Sequence, residues 1–173
     1  IPILTNMASD VKKGSLFSLG ADYYEVGRWS GLLAARVLRG DNPGNIPVEN
    51  YLPEQLAINR TTLEPLAPGW TLPAEWLSRA DVVVDASGVR EKKSREPVKP
   101  SKRTTYRIAA VYFAPNPVTE VTLAGLKTRL RERGFEEGKN LVIRADHAQG
   151  DISLIPPILQ KLATGKRVLV AGQ

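Results

Sequence analysis

The sequence contains no cysteine and only one histidine among its 173 residues. Without cysteine there is no disulfide, no zinc site with thiolate ligands and no cysteine nucleophile. No apolar run approaches the roughly 18 to 20 residues that a helix needs to cross a bilayer. No basic segment followed by an apolar run marks a signal peptide at the start, and the chain opens with Ile1 rather than Met. We therefore expect any targeting segment to lie upstream.

Catalytic motifs are also missing. The sequence has no nucleophile elbow, no HExxH pair and no phosphate-binding GxxxxGK loop. A general base needs a nucleophile within hydrogen-bond reach, and the neighbour of His147 on a strand, Asp146, would point to the opposite face. We interpret His147 as a surface or loop-edge residue and expect no catalytic residue, no metal and no cofactor.

Positive charge is concentrated in residues 88–105, which carry seven basic and two acidic residues and so account for +5 of the net charge of +6. This stretch has two prolines and almost no apolar residues, the composition of a solvated tether. A nucleic-acid surface needs basic residues on a folded face, interleaved with aromatics. The sequence therefore predicts a linker at 88–105 between segments 1–87 and 106–173, and no nucleic-acid partner.

The second segment, 106–173, alternates between strand and helix patterns. The predicted elements are a strand YRIAAVYF, a helix after APNP, a strand NLVIRAD, a helix ISLIPPILQKLATG and a strand RVLVAG. Asn116 and Pro117 suit the N-cap and first position of the first helix, and Gly134 suits its left-handed C-cap. The predicted apolar face of the second helix consists of Ile152, Ile155, Leu159 and Leu162. The βαβαβ order predicts a parallel sheet with helices on its faces.

The first segment, 1–87, has a similar but less regular pattern. The predicted elements are strands IPILTN and GSLFSLGAD, a helix from Tyr23 to about Arg39, a strand in EQLAINRTTLEPLA that leads into a helical turn, and a terminal helix LPAEWLSRADVVVD. Asp22 with Glu25 forms a capping arrangement for the long helix. Gly27, Gly31 and Ala34 leave one face of this helix nearly bare, which favours close approach to a neighbouring element.

These segments resemble a known family. The runs SLGADYYEVGRWSGLLAARVLRGDNPGNIPVE, LAINRTTLEPL and LPAEWLSRADVVV are similar to the C-terminal portion of ATP-binding-cassette (ABC) transporter substrate-binding proteins of the tryptophan/tyrosine type. The stretch from Tyr106 to Leu162 resembles the beginning of such a protein. Because the end of one copy precedes the start of another, we interpret the chain as the junction of a tandem protein, with a circular permutation as the alternative.

The resemblance implies an α/β fold of the type I periplasmic-binding-protein class, a parallel-sheet three-layer αβα sandwich, present here as partial lobes. It implies a periplasmic or extracytoplasmic, membrane-associated solute-binding component of an ABC transporter. Such a protein binds an amino acid, aromatic or aliphatic, or a similar small solute between two lobes and delivers it to a membrane permease.

Candidate ligand-binding residues lie beyond the carboxyl ends of the predicted strands, where helix N-termini point free N–H groups outward. They are Asn6, Asp22, Tyr23, Phe113, Pro115, Asn116, Gln149 and Asp151. Asn116, Asp22 and Asp151 each have helix capping as an alternative role. We expect Phe113 to pack in the core, and Tyr23 suits core and ligand equally. Gln149 has no capping role and is the strongest single candidate.

Two other functions stay open from the sequence. The same fold serves in ligand-sensing domains of signalling proteins, and an α/β enzyme would need catalytic residues outside this chain. We further expect the isolated 173-residue chain to bind ligand poorly, and its unpaired sheet edges to favour self-association.

Overall fold

A computed structural model of the chain describes residues 1–67, 69–92, 105–163 and 169–172. The chain divides into two compact units. The first unit comprises Ile1–Asp22 and Leu52–Arg95, and the second comprises Tyr23–Tyr51 and Glu96–Gln173. The long helix near the start of the chain thus folds with the second half of the sequence. The tandem interpretation and the boundaries 1–87, 88–105 and 106–173 stay predictions, and residues 93–104 of the predicted linker lie outside the described residues.

The first unit is built on a five-stranded sheet with the order β1-β2-β3-β4-β5. Its strands are β1 (Leu4–Thr5), β2 (Phe17–Ala21), β3 (Glu54–Asn59), β4 (Val82–Asp85) and β5 (Gly88–Glu91). Its helices are α1 (Ala8–Val11), α3 (Arg60–Leu63) and α4 (Ala74–Arg79), with a 3-10 turn at Glu64–Leu66. The pairs β1-β2 and β3-β4 are parallel, whereas β2-β3 and β4-β5 are antiparallel. The sheet is therefore mixed.

Alternating residues of this sheet bury two apolar clusters. Val11 of α1 packs with Ala57 and Val82, while Ile58 packs in a separate cluster with Ala80 and Val83. Because successive side chains of a strand point to opposite faces, neighbours such as Ala57 and Ile58 enter different clusters.

Two predictions for the end of the first segment are wrong. The terminal helix stops at Arg79, and Val82–Asp85 forms a strand that pairs in register with β3. Three consecutive β-branched valines favour a pleated strand over a helix. The start of the predicted linker is also ordered, because Gly88–Glu91 pairs antiparallel with β4 as a hairpin. Gly88 has a φ of 121°, which suits glycine at this turn.

The second unit contains the predicted βαβαβ arrangement. Its elements are α2 (Tyr23–Leu38), a 3-10 turn at Pro43–Asn45, β6 (Tyr106–Tyr112), α5 (Pro117–Glu132), β7 (Leu141–His147), a 3-10 turn at Ile152–Leu154, α6 (Ile155–Ala163) and β8 (Leu169–Gly172). The strand order is β7-β6-β8, and both pairs are parallel. Residues 164–168, where α6 was predicted to end and β8 to begin, lie outside the described residues.

Helices cover both faces of the second sheet. On one face Ile108 packs with Ala34, Ala35, Leu126, Leu130, Phe135 and Leu141. On the other face Ala109 and Val111 pack with Leu162 of α6. The unit is accordingly a three-layer arrangement, and the predicted α/β class with a mostly parallel sheet is confirmed.

The bare face of α2 lies against α5, as the glycine spacing predicted. A Cβ atom at Gly27 would overlap the backbone carbonyl of Thr122, and one at Gly31 would lie 2.7 Å from the carbonyl oxygen of Leu126. In return, a Cβ at Gly125 of α5 would overlap the carbonyl of Tyr24. The two backbones thus approach each other more closely than any larger residue allows.

The predicted ends of α5 are confirmed. The Asn116 side chain accepts a hydrogen bond from the N–H of Thr119 at 3.0 Å, and Gly134 has a φ of 88°. Phe135 then turns back into the core. One detail of α6 is wrong: Ile152 is 73% exposed, because it lies in the 3-10 turn that precedes the helix rather than on the helix face.

Candidate functional site

The carboxyl edge of the second sheet is the place where its topology favours a ligand. β6 lies in the centre, and the chain runs from it to β7 on one side and then to β8 on the other. In open parallel sheets with such a reversal of strand order, ligands bind beyond the carboxyl ends of the strands. The candidates Phe113, Pro115, Asn116, Gln149 and Asp151 all belong to the two loops that follow β6 and β7 at this edge.

The loop after β6 presents an aromatic ring to solvent. Phe113 is 46% exposed, so the expectation that it packs in the core is wrong. The strand ends at Tyr112, and the chain bends outward before α5 starts at Pro117. Pro115 is exposed beside Phe113. An exposed ring at this edge of the sheet is suited to stacking on a flat apolar ligand group.

Asn116 uses both ends of its side chain locally. Its carbonyl caps α5 through Thr119, and its Nδ2 group donates to the carbonyl oxygen of Ala114 at 3.1 Å. The capping role is therefore real. The N–H of Thr119 is thus occupied and Pro117 has none, but the positive dipole end of α5 lies beside this cap, where a carboxylate is stabilised.

The loop after β7 is tied to the loop after β6 by two backbone hydrogen bonds. The N–H of Ala148 donates to the carbonyl of Tyr112, and the N–H of Gly150 donates to the carbonyl of Phe113, both at 3.0 Å. These bonds hold Gln149 close to Phe113. The structure thus brings together two candidates that lie 36 positions apart in the sequence.

Gln149 has a left-handed backbone, with a φ of 53°. Among the described residues it is the non-glycine residue with positive φ, a conformation that costs an L-residue about 1–2 kcal/mol. Its exposed side-chain amide makes no hydrogen bond within the described part of the chain. Strained residues with uncommitted polar groups are concentrated at ligand-binding sites.

Asp151 closes this loop as a cap. Its carboxylate accepts hydrogen bonds from the Oγ and the N–H of Ser153 at 2.7 and 2.9 Å. These bonds, the hydroxyl first, hold the pKa of Asp151 below its ordinary value. Its capping role is confirmed, and a ligand contact stays a prediction.

One pair at this edge was missed in the sequence. Tyr112 and His147 are register partners at the ends of β6 and β7, with ring centroids 5.6 Å apart and planes tilted by 31°. His147 is half-buried, and its Nδ1 accepts a hydrogen bond from the N–H of Gln149 at 3.3 Å. A partial signal was available, since Tyr112 lies near the end of the predicted strand YRIAAVYF and His147 directly follows the predicted parallel strand NLVIRAD.

The remaining candidate ligand-binding residues, Tyr23, Asn6 and Asp22, have fewer contacts that indicate a role. Tyr23 is half-buried at the first position of α2 in the second unit. In the first unit, Asn6 follows β1, and its backbone lies against Gly20. Gly20 is two positions before Asp22 in the sequence, so Asn6 and Asp22 belong to neighbouring strand ends. Asp22 accepts a 3.4 Å hydrogen bond from Nε2 of Gln55. The predicted capping of α2 by Asp22 stays a prediction.

The first unit also contains an open cavity of about 240 Å³ between α4 and β5, lined by none of the predicted site residues. Most of its charged side chains are engaged with other groups of the unit. Lys92 donates to the carbonyl oxygen of Arg79 at 2.9 Å, Glu91 pairs with Lys12 at 2.6 Å, and Arg90 pairs with Asp85 at 2.8 Å. We assign no ligand to this cavity.

Within the described ranges, no helix has the length and apolar character needed to cross a bilayer. The same ranges contain no group of three or more histidine or carboxylate side chains arranged to hold a metal ion.

Comparison with known proteins gives a family match for the first half of the chain. Residues 1–84 match the family model described as ABC transporter substrate binding protein. A protein named tyrosine-binding protein from Clostridioides difficile (strain R20291) is 38% identical over 66 residues, which is 38% of this chain and 19% of that protein. The chain thus matches about a fifth of the length of this relative. Residues 1–84, just under half of the chain, are therefore similar to the ABC transporter substrate binding protein family.

Proposed function

We propose that this chain is part of an extracytoplasmic solute-binding component of an ABC transporter, and that the solute is an aromatic amino acid. The family match of residues 1–84 supports a solute-binding role. The name of the Clostridioides difficile relative supports tyrosine or a similar solute. The membrane permease partner and the extracytoplasmic location are part of the same proposal.

The observation that carries the proposal is the carboxyl edge of the second sheet. There an exposed ring, Phe113, lies beside the N-terminus of α5 and the strained, uncommitted Gln149. An aromatic amino acid has a ring for Phe113 and a carboxylate for the helix N-terminus, and it has polar groups for the amide of Gln149. These three recognition elements match the three parts of the solute.

The first unit supplies a second set of candidates in this proposal. Asn6 and Asp22 follow the parallel strands β1 and β2 at their carboxyl ends. The carboxylate of Asp22 is suited to an ammonium group. Closure of two lobes, which the family resemblance implies, remains a prediction, as does the tandem arrangement.

Binding of L-tyrosine to the 173-residue chain, and to the longer protein where one contains it, tests the proposal. Isothermal titration and thermal shift should show binding of tyrosine or tryptophan in preference to alanine and glutamate, since a ligand that binds only the folded state raises its stability. Phe113→Ala should reduce the affinity. Trp70→Ala, which removes a ring with the same exposed fraction of 46%, is the matched control and should have no effect.

A flat response of both proteins to all twenty amino acids would contradict an amino-acid solute. A ligand-sensing domain is the second candidate, because the same site would bind the solute if closure of the lobes signalled to a partner protein. A permease-dependent uptake assay distinguishes the two, since only a transport component restores uptake of the solute.

A further inference from the structure

The loop after β7 has one backbone N–H that is satisfied by a side chain. The N–H groups of Ala148, Gly150 and Asp151 donate to backbone carbonyl oxygens at 2.8–3.0 Å. The N–H of Gln149 instead donates to Nδ1 of His147 at 3.3 Å. The imidazole of His147 is thus the side chain that holds Gln149, the left-handed residue of this loop, through its backbone N–H.

The imidazole is itself held in place. His147 ends β7, is half-buried, and lies opposite Tyr112 with ring centroids 5.6 Å apart. Strand pairing and the aromatic neighbour fix the orientation of the ring. In this orientation the Nδ1 atom faces the N–H of Gln149.

We propose that His147 is a positioning residue that holds Gln149 in its solute-binding conformation, and that protonation of the imidazole releases the loop and weakens solute binding at acid pH. This inference rests on the proposed function, since it concerns the same site. It adds a residue outside the predicted set and a pH dependence to that site.

The chemistry of the imidazole gives the direction of the effect. A neutral histidine has one ring nitrogen that accepts a hydrogen bond, whereas an imidazolium donates from both nitrogens. Protonation therefore replaces the acceptor at Nδ1 with a donor that faces the N–H of Gln149. The left-handed conformation then loses the contact that supports it, and the loop relaxes.

The other charged groups around the loop are engaged in contacts of their own. Asp146 lies on the opposite face of β7 in an ion pair with Arg144 at 2.8 Å. Hydrogen bonds from Ser153 hold the pKa of Asp151 below its ordinary value. On β6 the group that faces the imidazole is the phenol of Tyr112. Imidazole is the side chain that ordinarily changes charge between pH 5 and 8.

The first test is the affinity for L-tyrosine at about pH 7.5 and about pH 5.5 in the 173-residue chain and, where one exists, in the longer protein that contains it. Because protonation removes the acceptor at Nδ1, the affinity of the wild type should be several-fold lower at the acid pH. His147→Asn keeps an acceptor without a titrating group and should bind equally at both pH values. His147→Leu removes the acceptor and should bind weakly at both.

The second test needs no ligand. The chain has one histidine, so its ring resonances in an NMR titration are unambiguous. The amide resonance of Gln149 should shift with the same midpoint as the ring of His147, and this shift should be absent in His147→Asn.

The outcomes separate the two proposals. Tyrosine binding that is independent of pH in the wild type, or that changes equally in His147→Asn, would overturn the positioning role while the proposed function stands. An amide of Gln149 that ignores the histidine titration would also overturn it. If tyrosine binds at neither pH but the amide follows the ring, the contact and its release are supported, and the solute assignment fails.

Discussion

Arg28 of α2 donates a hydrogen bond to Glu132 of α5 at 2.6 Å, and the two residues are 104 positions apart in the sequence. The Arg28 side chain is 5% exposed, and its Nε lies 3.0 Å from a carboxylate oxygen of Glu25. Burial acts to lower the pKa of Arg28, but the hydrogen bond with Glu132 and the charges of both glutamates raise it above the ordinary value. The glycine contacts bring the helices close, and this ion pair fixes one register.

Removal of one partner of this ion pair should destabilise the second unit. Glu132→Ala leaves the buried guanidinium without its shortest contact, and we expect a loss of about 3–5 kcal/mol in the free energy of unfolding. The double variant Arg28→Met, Glu132→Leu should recover part of that loss, because it removes both charges of the pair, while Arg129 still loses its 3.4 Å contact with Glu132. Urea unfolding followed by circular dichroism measures both. Equal losses in the single and double variants would argue against a buried pair.

Gly27→Ala should destabilise the fold, although a glycine-to-alanine change in a helix usually stabilises it. In an open helix this change stabilises by about 1 kcal/mol, but the new Cβ would overlap the Thr122 carbonyl. We expect a loss of about 1–3 kcal/mol from overpacking. Ser30→Ala, on the same helix, is the control and should change stability little. A Gly27→Ala variant more stable than the wild type would contradict the close packing of α2 on α5.

Gln149→Gly should separate stability from binding. Glycine accepts a positive φ without strain, so the variant should be more stable by about 0.5–1 kcal/mol. It should also bind L-tyrosine more weakly, because the recognition amide is gone. Gln160→Gly on the exposed side of α6 is the matched control and should lose about 1 kcal/mol. Thermal unfolding and titration calorimetry report the two effects, and a destabilised Gln149→Gly would show that φ at this position is not strained.

Variants of Asn116 distinguish its capping role from a role in recognition. Asn116→Ala should cost about 1 kcal/mol through loss of the cap. Asn116→Asp keeps the acceptor for Thr119 but loses the donor to Ala114, so its stability should lie between those of Asn116→Ala and the wild type. Its charge also repels a ligand carboxylate at the N-terminus of α5. We expect at least a tenfold loss of L-tyrosine affinity in Asn116→Asp. Unchanged affinity would place the carboxylate elsewhere.

The cap formed by Asp151 should give a stability difference that disappears in acid. A carboxylate whose folded pKa is lowered stabilises the fold above its unfolded value, near 3.9, and this contribution is lost as the pH falls through the folded pKa. Asp151→Asn should therefore be less stable than the wild type at pH 7 and equal to it well below that range. Urea midpoints across pH test this, and a difference that persists in strong acid would show that charge is not its cause.

Local patterns in the sequence determined much of this protein. The βαβαβ order of residues 106–172, the Asn116 cap and the Gly134 terminus depend on residues within one or two turns of each other. The spacing of the small residues likewise predicted the bare glycine face of α2. The resemblance of residues 1–84 to the substrate-binding family, carried by long runs of sequence, is confirmed by the family match.

Only the tertiary structure decided which distant elements meet. The partner of the glycine face is α5, and no local pattern specifies a contact between residues about 100 positions apart. Val82–Asp85 became a strand because β3 and β5 pair with it, which overrides its continuity with the preceding helix. Phe113 is exposed, and Gln149 is held in a left-handed turn by a histidine from the neighbouring strand end. These features depend on the relative placement of elements, which packing fixes and propensity does not.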